Sequence, residues 1–351
     1  MDDLRDVPVT VIGAGAIGGM VGAYLDEAGY EVTLVDVVPE HVRAIRERGL
    51  RITGVRGDKV FHPPAVLTEE LKAPLEATFL CVKGHFTESA MDQIEPLLAP
   101  DGYVISLQNG LNETLIARRI GERRTVGAFV HFGADLVEHG VIQLGYEETI
   151  YVGELDGQSS ARVEALAEAL SHVMPTHVTG NIWGFLWGKL VFGATGFVVS
   201  CVDAPVAEVI DDPLGRSLCR AASAEAYLVA RTQVEKVEPT GEFEPEKFAP
   251  GDGWEARADE TLMELAESWR SSIKQHMGIW RDLKVKKRKT EVDAQVAQIV
   301  ATGRERSVPT PVNATVVNIV HEIEDGERSM GWDNLEEIAR RSGVASSRSR
   351  L

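Results

Sequence analysis

The chain has 351 residues, enough for about two domains of ordinary size. Hydrophobic residues make up 44% of it and charged residues 26%, proportions typical of a globular protein with a substantial core. Its 36 basic and 54 acidic side chains give a formal net charge of -18. A nucleic-acid partner, which requires a basic surface, is therefore not expected, and attachment to anionic lipid is disfavoured.

Targeting and cross-linking signals are those expected of a cytoplasmic chain. The N-terminal sequence MDDLRD lacks the basic and then apolar order of a secretion signal. The longest apolar run, residues 190–202, is shorter than the roughly 20 residues that span a bilayer, so no membrane partner is expected. The three cysteines form no C-x-x-C pair and the histidines show no H-x-x-x-H spacing, so neither a disulfide framework nor a metal site is predicted.

Strands and helices are predicted to alternate through the first part of the chain. The predicted strands are 8–12, 31–36, 77–82 and 103–107, and the predicted helices are 17–28, 39–48 and 86–97. A hairpin is predicted over 51–66, and the runs 141–145 and 149–154 are expected to pair with each other near a sheet edge. This alternation predicts a doubly wound α/β domain, in which a parallel sheet is covered by helices on both faces, over residues 1–179.

The second part of the chain is predicted to be an all-helical domain, residues 180–325. Apolar, alanine-rich helical patterns cover 182–231, 260–302 and 312–324. Between them, residues 234–256 are rich in proline, glycine and glutamate and are predicted to be an inserted acidic loop, either partly disordered or a lid. Residues 326–351 are predicted to form a C-terminal tail.

A glycine-rich motif predicts a dinucleotide site at the first strand-to-helix junction. Residues Gly13-Ala14-Gly15-Ala16-Ile17-Gly18 match G-x-G-x-x-G, with a predicted strand before them and a helix after them. Gly13 permits the tight turn, Gly15 lets the backbone approach a diphosphate, and Gly18 allows helix and strand to pack closely. The diphosphate would lie at the helix N-terminus, where unpaired amides favour negative charge. The alternative is a plain glycine turn.

Asp36 ends the second predicted strand and favours NAD(H) over NADP(H) as the cofactor. A carboxylate at this place accepts hydrogen bonds from the adenosine ribose hydroxyls and repels a 2′-phosphate. The next residues, Val37 and Val38, offer no arginine to bind a phosphate. Arg43 and Arg46 on the following helix leave NADP(H) open as the alternative.

Five short segments together make the chain resemble the ketopantoate reductase (2-dehydropantoate 2-reductase) family, as a divergent member. They are, in order, GAGAIGG (13–19), CVKGH (81–85), SLQNGL (106–111), WGKL (187–190) and RKTEVD (288–293). The resemblance extends from Val9 to about Glu322. It implies an NAD(P)H-dependent oxidoreductase that acts on CH–OH groups and reduces a small 2-oxo acid or related ketone to the alcohol.

The resemblance also assigns roles to four residues. Lys83 and Asn109, after successive strands, match family residues beside the cofactor and substrate, and Glu291 matches a glutamate near the nicotinamide ribose. Lys189 matches the family's catalytic lysine, and its apolar surroundings suit a general acid because desolvation disfavours a lysine's charge. Each role has a structural alternative. Lys83 would be an exposed loop lysine and Asn109 a turn asparagine before glycine. Glu291 would be a glutamate that supports a helix N-terminus, and Lys189 a lysine that reaches the surface from an amphipathic helix.

The chain departs from the family at residues near the substrate. The family usually has asparagines four and eight residues after the catalytic lysine, where this chain has Gly193 and Phe197. Gly278 stands where the family has a serine, and the spacing from Asp282 to Glu291 is one residue longer than usual. These changes predict a more apolar or differently shaped substrate than a hydroxylated 2-oxo acid.

A substitute contact is predicted at His276, near the missing serine and Trp280, with a helix-surface histidine as the alternative. Two other functions remain open. One is a different hydroxy-acid, imine or opine-type dehydrogenase on the same scaffold, which the missing asparagines favour. The other is a non-catalytic NAD-binding redox sensor, against which Lys189 argues because cofactor binding alone needs no buried lysine. If the chain forms a homodimer, its helical part is where two copies would pack.

Overall fold

The computed structural model describes residues 4–272 and 275–344. The chain divides into two compact units, Met1–Trp183 and Gly184–Leu351. The first unit carries an eight-stranded sheet with helices, and the second is built from helices. The predicted fold class, a doubly wound α/β domain followed by a helical domain, is confirmed.

The strands of the first unit are β1 Val9–Ile12, β2 Val32–Asp36, β3 Leu50–Gly54, β4 Lys59–Phe61, β5 Ala65–Leu67, β6 Leu75–Leu80, β7 Leu98–Ser106, β8 Thr125–Val130, β9 Gly133–Glu138, β10 Val141–Tyr146, β11 Ile150–Glu154 and β12 Thr176–Val178. Its helices are α1 Ala16–Glu27, α2 Pro39–Arg48, α3 Thr87–Ile94, α4 Asn112–Ile120 and α5 Ala161–Leu170. In the main sheet the order is β12-β11-β8-β7-β6-β1-β2-β5. All neighbours are parallel except β8 and β11.

The chain order reverses at β1, which pairs with β2 on one side and with β6 on the other. The residues of β1 and β8 are all buried, as expected for strands whose two faces are both covered. The carboxyl ends of strands beside such a reversal are the usual ligand-binding edge of an open α/β sheet. This edge carries the candidate cofactor residues.

A second, four-stranded sheet has the order β4-β3-β10-β9. It contains the predicted hairpin, since β3 and β4 are antiparallel. The predicted pairing of 141–145 with 149–154 is wrong: β10 pairs with β9 and β3, whereas β11 belongs to the main sheet. The hairpin partner of β10 is β9, joined through His139-Gly140, and Gly140 has a φ of 80°, the left-handed backbone that such a tight turn favours.

The helices that follow are α6 Ile182–Ser200, α7 Val206–Asp211, α8 Pro213–Ala230, α9 Trp254–Ser271, α10 Gly278–Trp280, α11 Val296–Arg306, α12 Pro311–Glu324 and α13 Asp333–Ser342. Helix α6 is long and apolar enough to cross a membrane, but 83% of its apolar window is buried inside the protein. A core helix of a globular unit has these same properties. Its partner α8 contacts it through a hydrogen bond between the hydroxyls of Thr195 and Ser223, 2.9 Å apart.

Two predicted irregular segments are more structured than expected. The segment 234–256, hereafter the inserted segment, buries Phe243 and Phe248, whose rings stack 4.9 Å apart, and its last residues begin α9. The assignment of all of 326–351 to a tail is wrong, because α13 buries Leu335 and Ile338 completely. Only two large apolar residues anchor that charged helix, which is too weak a pattern to identify from sequence.

Candidate active site

The glycine-rich loop between β1 and α1 has the shape that its motif predicts. Gly13 has a φ of 93°, and a Cβ there would lie 2.9 Å from Cγ1 of Val82. A Cβ on Gly18 would overlap the carbonyl oxygen of Gly13, so α1 packs too closely on the loop for any side chain. At Gly15, in contrast, a Cβ would have no protein atom within 4 Å. The loop therefore leaves open space at the one glycine that should face a diphosphate.

The N-terminus of α1 can hold an anion. The first amide of the helix to bond back is that of Gly19, which donates to the carbonyl of Gly15 at 2.8 Å. The amides of Ala16, Ile17 and Gly18 thus have no partner within the helix, and the N-cap residue, Gly15, has no side chain that could bond to them. Aligned peptide dipoles add positive potential at this end. The residues present here fit a dinucleotide diphosphate.

Asp36 links the glycine-rich loop to the end of β2. Its Oδ2 accepts a hydrogen bond from the amide of Ala14 at 2.9 Å, and its Oδ1 accepts one from the amide of Val38 at 3.0 Å. Each carboxylate oxygen has a second lone pair, so both can still accept a ribose hydroxyl. The structure thus adds a loop-holding role to the predicted ribose-binding role.

His41 on α2 is a loop-holding residue that the motifs did not reveal. Its side chain is 1% exposed and lies between two backbone groups. The amide of Gly140 donates to Nδ1 at 3.0 Å, and since an amide can only donate, Nε2 carries the hydrogen that bonds the carbonyl of Ala14 at 2.8 Å. The diphosphate loop is therefore connected through one imidazole to the small sheet.

Lys83 follows β6, which pairs with β1, and Asn109 follows β7, which pairs with β6. Because these strands are parallel, both residues lie at the same edge as Gly13 and Asp36, as predicted. Both are partly exposed, so a ligand at this edge can reach them. The structure brings the glycine-rich loop, Asp36, Lys83 and Asn109 to one edge of the sheet.

A buried polar network, centred on Gln108, fixes the loops that carry Lys83 and Asn109. Nε2 of Gln108 donates to the carbonyl of Val82 and to Oγ1 of Thr87, both at 2.8 Å. The hydroxyl of Thr87 lies 2.9 Å from Oδ1 of Asn112, whose Nδ2 donates to the carbonyl of Asn109 at 2.8 Å. Gln108 was visible in the SLQNGL segment, but its supporting role depends on contacts that a sequence does not display.

In the second unit, Lys189 lies on a short accessible strip of α6. Within this helix only Trp183, Lys189, Phe192 and Gly193 are partly exposed, and all other residues are buried. Residues 189, 192 and 193 are three and four positions apart and so share one face. Hereafter these three residues are called the accessible strip. Lys189 is the only charged residue in α6, so the strip presents one cation on an apolar helix.

The inserted segment borders the accessible strip. The amide of Glu238 donates to the carbonyl of Gly184 at 3.0 Å, and a Cβ on Gly188 would overlap the carbonyl oxygen of Glu238. The ring of Phe243 lies edge-on to that of Phe192, with the centroids 5.3 Å apart. The glycine at 188 therefore lets this segment pack directly on the helix that carries Lys189.

The segment around Glu291 reaches the accessible strip at Gly193. A Cβ on Gly193 would lie 3.3 Å from Oε1 of Gln295. The backbone amide of Gln295 donates to the backbone carbonyl of Glu291 at 3.0 Å. Thr290 is anchored by two hydrogen bonds to Oε1 of Glu324, from its amide at 2.7 Å and its hydroxyl at 2.6 Å. The structure thus brings the segment that carries Glu291 to Gly193, one helical turn after Lys189, through the side chain of Gln295.

Two departures from the family pattern have a structural explanation. Phe197 is fully buried in the helical core, so its side chain does not offer the substrate-shaping surface that was expected of it. The extra residue between Asp282 and Glu291 coincides with a π-helical turn, Arg281–Val285, in which the amide of Lys286 bonds the carbonyl of Arg281 at 2.9 Å. A π-turn accommodates one additional residue in a helix and is often found at functional sites.

His276, the predicted substitute substrate contact, lies beyond the carboxyl end of α6. It stacks on Trp280 with centroids 3.9 Å apart, and Nε1 of Trp280 donates to Oδ1 of Asp203 at 3.0 Å. Burial lowers the pKa of His276, although Asp203 and Glu208 oppose this shift. The next residue, Met277, packs on α6 at Gly196, where a Cβ would lie 2.7 Å from its Sδ, so the substrate role of His276 stays a prediction. In the described ranges, no cluster of three or more His, Cys, Asp or Glu residues could hold a metal ion.

Two family models match most of the chain. The model described as "Ketopantoate reductase PanE/ApbA" matches residues 9–157, and the one described as "Ketopantoate reductase PanE/ApbA C terminal" matches residues 181–324. The 2-dehydropantoate 2-reductase of Archaeoglobus fulgidus is 28% identical over 326 residues, which cover 92% of this chain and 100% of the relative.

Solved structures show the same fold at low sequence identity. The ternary structure of a D-mandelate dehydrogenase with NADH and anilino(oxo)acetate has a TM-score of 0.78 and 24% identity, and the match covers 91% of this chain and 99% of that one. A PanE/ApbA family ketopantoate reductase from Ralstonia eutropha JMP134 has a TM-score of 0.76 and 24% identity, with 92% and 100% covered. From the two family models and the curated relatives, the chain belongs to the ketopantoate reductase family and is an NAD(P)-dependent oxidoreductase that acts on CH–OH groups.

Proposed function

We propose that this protein reduces a 2-oxo acid, or a related ketone, to the corresponding alcohol, with Lys189 as the proton donor. The observation that carries the proposal is the accessible strip, where a single lysine is partly exposed on an otherwise apolar and buried helix. A lysine ammonium at an accessible apolar surface can donate a proton to a bound ligand. Reduction of a ketone requires such a donor, because the product oxygen must gain a proton.

The residues of the first unit would bind the cofactor, which supplies the hydride when it is bound. The loop Gly13–Gly18 and the N-terminus of α1 hold the diphosphate, and Asp36 accepts the ribose hydroxyls. Lys83, Asn109 and Glu291 orient the nicotinamide end. We propose NAD(H) as the preferred cofactor because the carboxylate of Asp36 would repel a 2′-phosphate.

Lys189 holds its proton at Nζ for the carbonyl oxygen of the substrate. As negative charge grows on that oxygen, the ammonium stabilises it and then transfers the proton. The surrounding apolar residues of α6 lower the local dielectric and so strengthen this interaction relative to water.

The accessible strip also supports an apolar substituent on the substrate. Phe192 contributes an aromatic surface next to Lys189, and the ring of Phe243 packs against it in a T-shaped arrangement. Gly193 adds no side chain of its own, and Oε1 of Gln295 lies 3.3 Å from where its Cβ would be. A hydroxy-acid dehydrogenase that handles an aromatic or branched substrate is therefore favoured over a strict ketopantoate reductase, and the D-mandelate dehydrogenase of the same fold makes benzoylformate a sensible test compound.

The test follows the oxidation of NADH and of NADPH with ketopantoate, benzoylformate and branched-chain 2-oxo acids. Lys189→Ala should lower kcat by about 10²–10⁴-fold, the usual contribution of a general acid, and leave the Kd of the cofactor unchanged. Lys72→Ala, in an exposed loop, is the matched control and should keep full activity. Full turnover by Lys189→Ala would exclude Lys189 as the acid. Cofactor binding by the wild type without turnover of any acid would instead indicate a sensor.

A further inference from the structure

The side chain of Gln295 lies next to the accessible strip that carries the proposed proton donor. Gln295 places Oε1 3.3 Å from the position of a Cβ on Gly193, one helical turn after Lys189. An amide from a different segment therefore fills space that the helix leaves empty. It lies on the face of α6 that a ligand can reach, because Lys189, Phe192 and Gly193 are all partly exposed.

The backbone of Gln295 is firmly held while its amide group is available. Its backbone amide donates to the carbonyls of Glu291 at 3.0 Å and Val292 at 3.3 Å, and its carbonyl accepts from the amide of Gln298 at 3.0 Å. Across residues 4–272 and 275–344, the side chain of Gln295 makes no hydrogen bond to the protein. It is partly exposed and offers two N–H donors and one acceptor. A held residue with an unused polar end is suited to binding a ligand.

We propose that Gln295 is a specificity-determining residue, whose Nε2 donates a hydrogen bond to the carboxylate of the 2-oxo acid after the terminal amide turns about its Cγ–Cδ bond. This inference rests on the proposed function. The turn from Lys189 to Gly193 rises about 6 Å along the helix axis, a distance that the oxo-acid head can bridge with one hydrogen bond at each end. Lys189 then meets the ketone oxygen while Gln295 meets the carboxylate, and Phe192 contacts the remaining substituent. The amide comes from the residue before α11 and not from α6.

Gln295→Leu tests the inference, because it keeps the approximate size of the side chain and removes the amide. The KM of the best 2-oxo acid of the panel should rise about 10- to 100-fold, the usual range for a lost hydrogen bond to a charged group. The kcat, the Kd of NADH and the melting temperature should stay close to the wild-type values. Gln298→Leu is the matched control on α11, because the side chain of Gln298 is exposed and bonds only the carbonyl of Asp293.

Each outcome is decisive. A rise in KM for Gln295→Leu but not for Gln298→Leu supports the assignment. Equal KM values in both variants would overturn it, and so would a fall in kcat at constant KM, which would mean that Gln295 only positions Lys189. If the wild type turns over no 2-oxo acid, both the proposed function and the assignment of Gln295 fail. If the wild type turns over a 2-oxo acid and Gln295→Leu does so equally well, only the assignment of Gln295 fails.

A double variant tests the geometry directly. A Cβ at 193 would lie 3.3 Å from Oε1 of Gln295, so shortening the glutamine makes room for Gly193→Asn. The double variant Gly193→Asn with Gln295→Ala should therefore have a KM at least about tenfold lower than that of Gln295→Ala alone. The reason is that an amide again reaches the carboxylate. No recovery would show that position 193 does not face the substrate and would overturn the proposal.

Discussion

Gly15→Ala separates cofactor binding from folding. Gly15 is the N-cap of α1 with a φ of -66°, which alanine also adopts, and its Cβ would meet no protein atom within 4 Å. The substitution should therefore change the free energy of unfolding by no more than about 1 kcal/mol, the usual range for glycine-to-alanine changes at compatible sites.

The new methyl group should nevertheless weaken cofactor binding, since it occupies the space through which a diphosphate approaches the backbone. A hydrogen bond to a charged group contributes about 1.5–3 kcal/mol, so the loss of one phosphate contact should raise the Kd of NADH by about 10- to 150-fold. Fluorescence titration with NADH and NADPH measures this change, and thermal unfolding without cofactor measures stability.

Gly18→Ala is the matched comparison within the same motif. Its Cβ would overlap the carbonyl oxygen of Gly13 and lie 3.0 Å from Cβ of Cys81, so folding itself should suffer by about 1–3 kcal/mol or more. The reasoning would be refuted if Gly15→Ala bound NADH like the wild type, or if it lost as much stability as Gly18→Ala.

Two further predictions concern histidines. His41→Ala leaves the buried carbonyl of Ala14 and the amide of Gly140 without their partner, at a cost of about 1–3 kcal/mol each. Urea unfolding should therefore show a free energy of unfolding lower by about 2–6 kcal/mol, and titration should show a higher Kd for NADH. Wild-type values in both assays would contradict this prediction. For His276, burial lowers the folded-state pKa, so the unfolded chain takes up more protons as the pH falls below the ordinary histidine value of about 6.5, and the folded state loses stability there. The melting temperature should consequently fall less between about pH 7 and pH 5 in His276→Asn than in the wild type; parallel curves would show that His276 does not contribute.

The sequence predicted the bounds of an element well where residues at its two ends determine where it begins and ends. Helix α2 has the predicted bounds, Pro39–Arg48, because proline at its first position and glycine after its last fix both ends locally. The pairing of β10 could not be predicted in this way. Its partners β9 and β3 are chosen by packing, and β3 lies far earlier in the chain.

The same limit explains which site residues were found. Asp36, Lys83 and Asn109 follow strands, and parallel neighbours bring such residues to one edge, so the strand pattern was enough to group them. His41 and Gln295 were missed because their significance lies in contacts with Gly140 and Gly193, to which no motif connects them. A buried imidazole and a glutamine just before a helix look like ordinary structural residues until the fold is known.

The hydrogen bond between His41 and Gly140 has a consequence for the modularity of this fold. The strand, glycine-rich turn and helix of a dinucleotide site are commonly treated as a portable unit of some thirty residues. Here the loop carbonyl is held by a side chain that is itself held by a residue 99 positions later, in the turn between β9 and β10. A shorter fragment that ends before that turn would keep the whole G-x-G-x-x-G signature but lack part of its support. Any transplant of this site, or any recombination between Gly49 and Gly140, must therefore carry both sheets together.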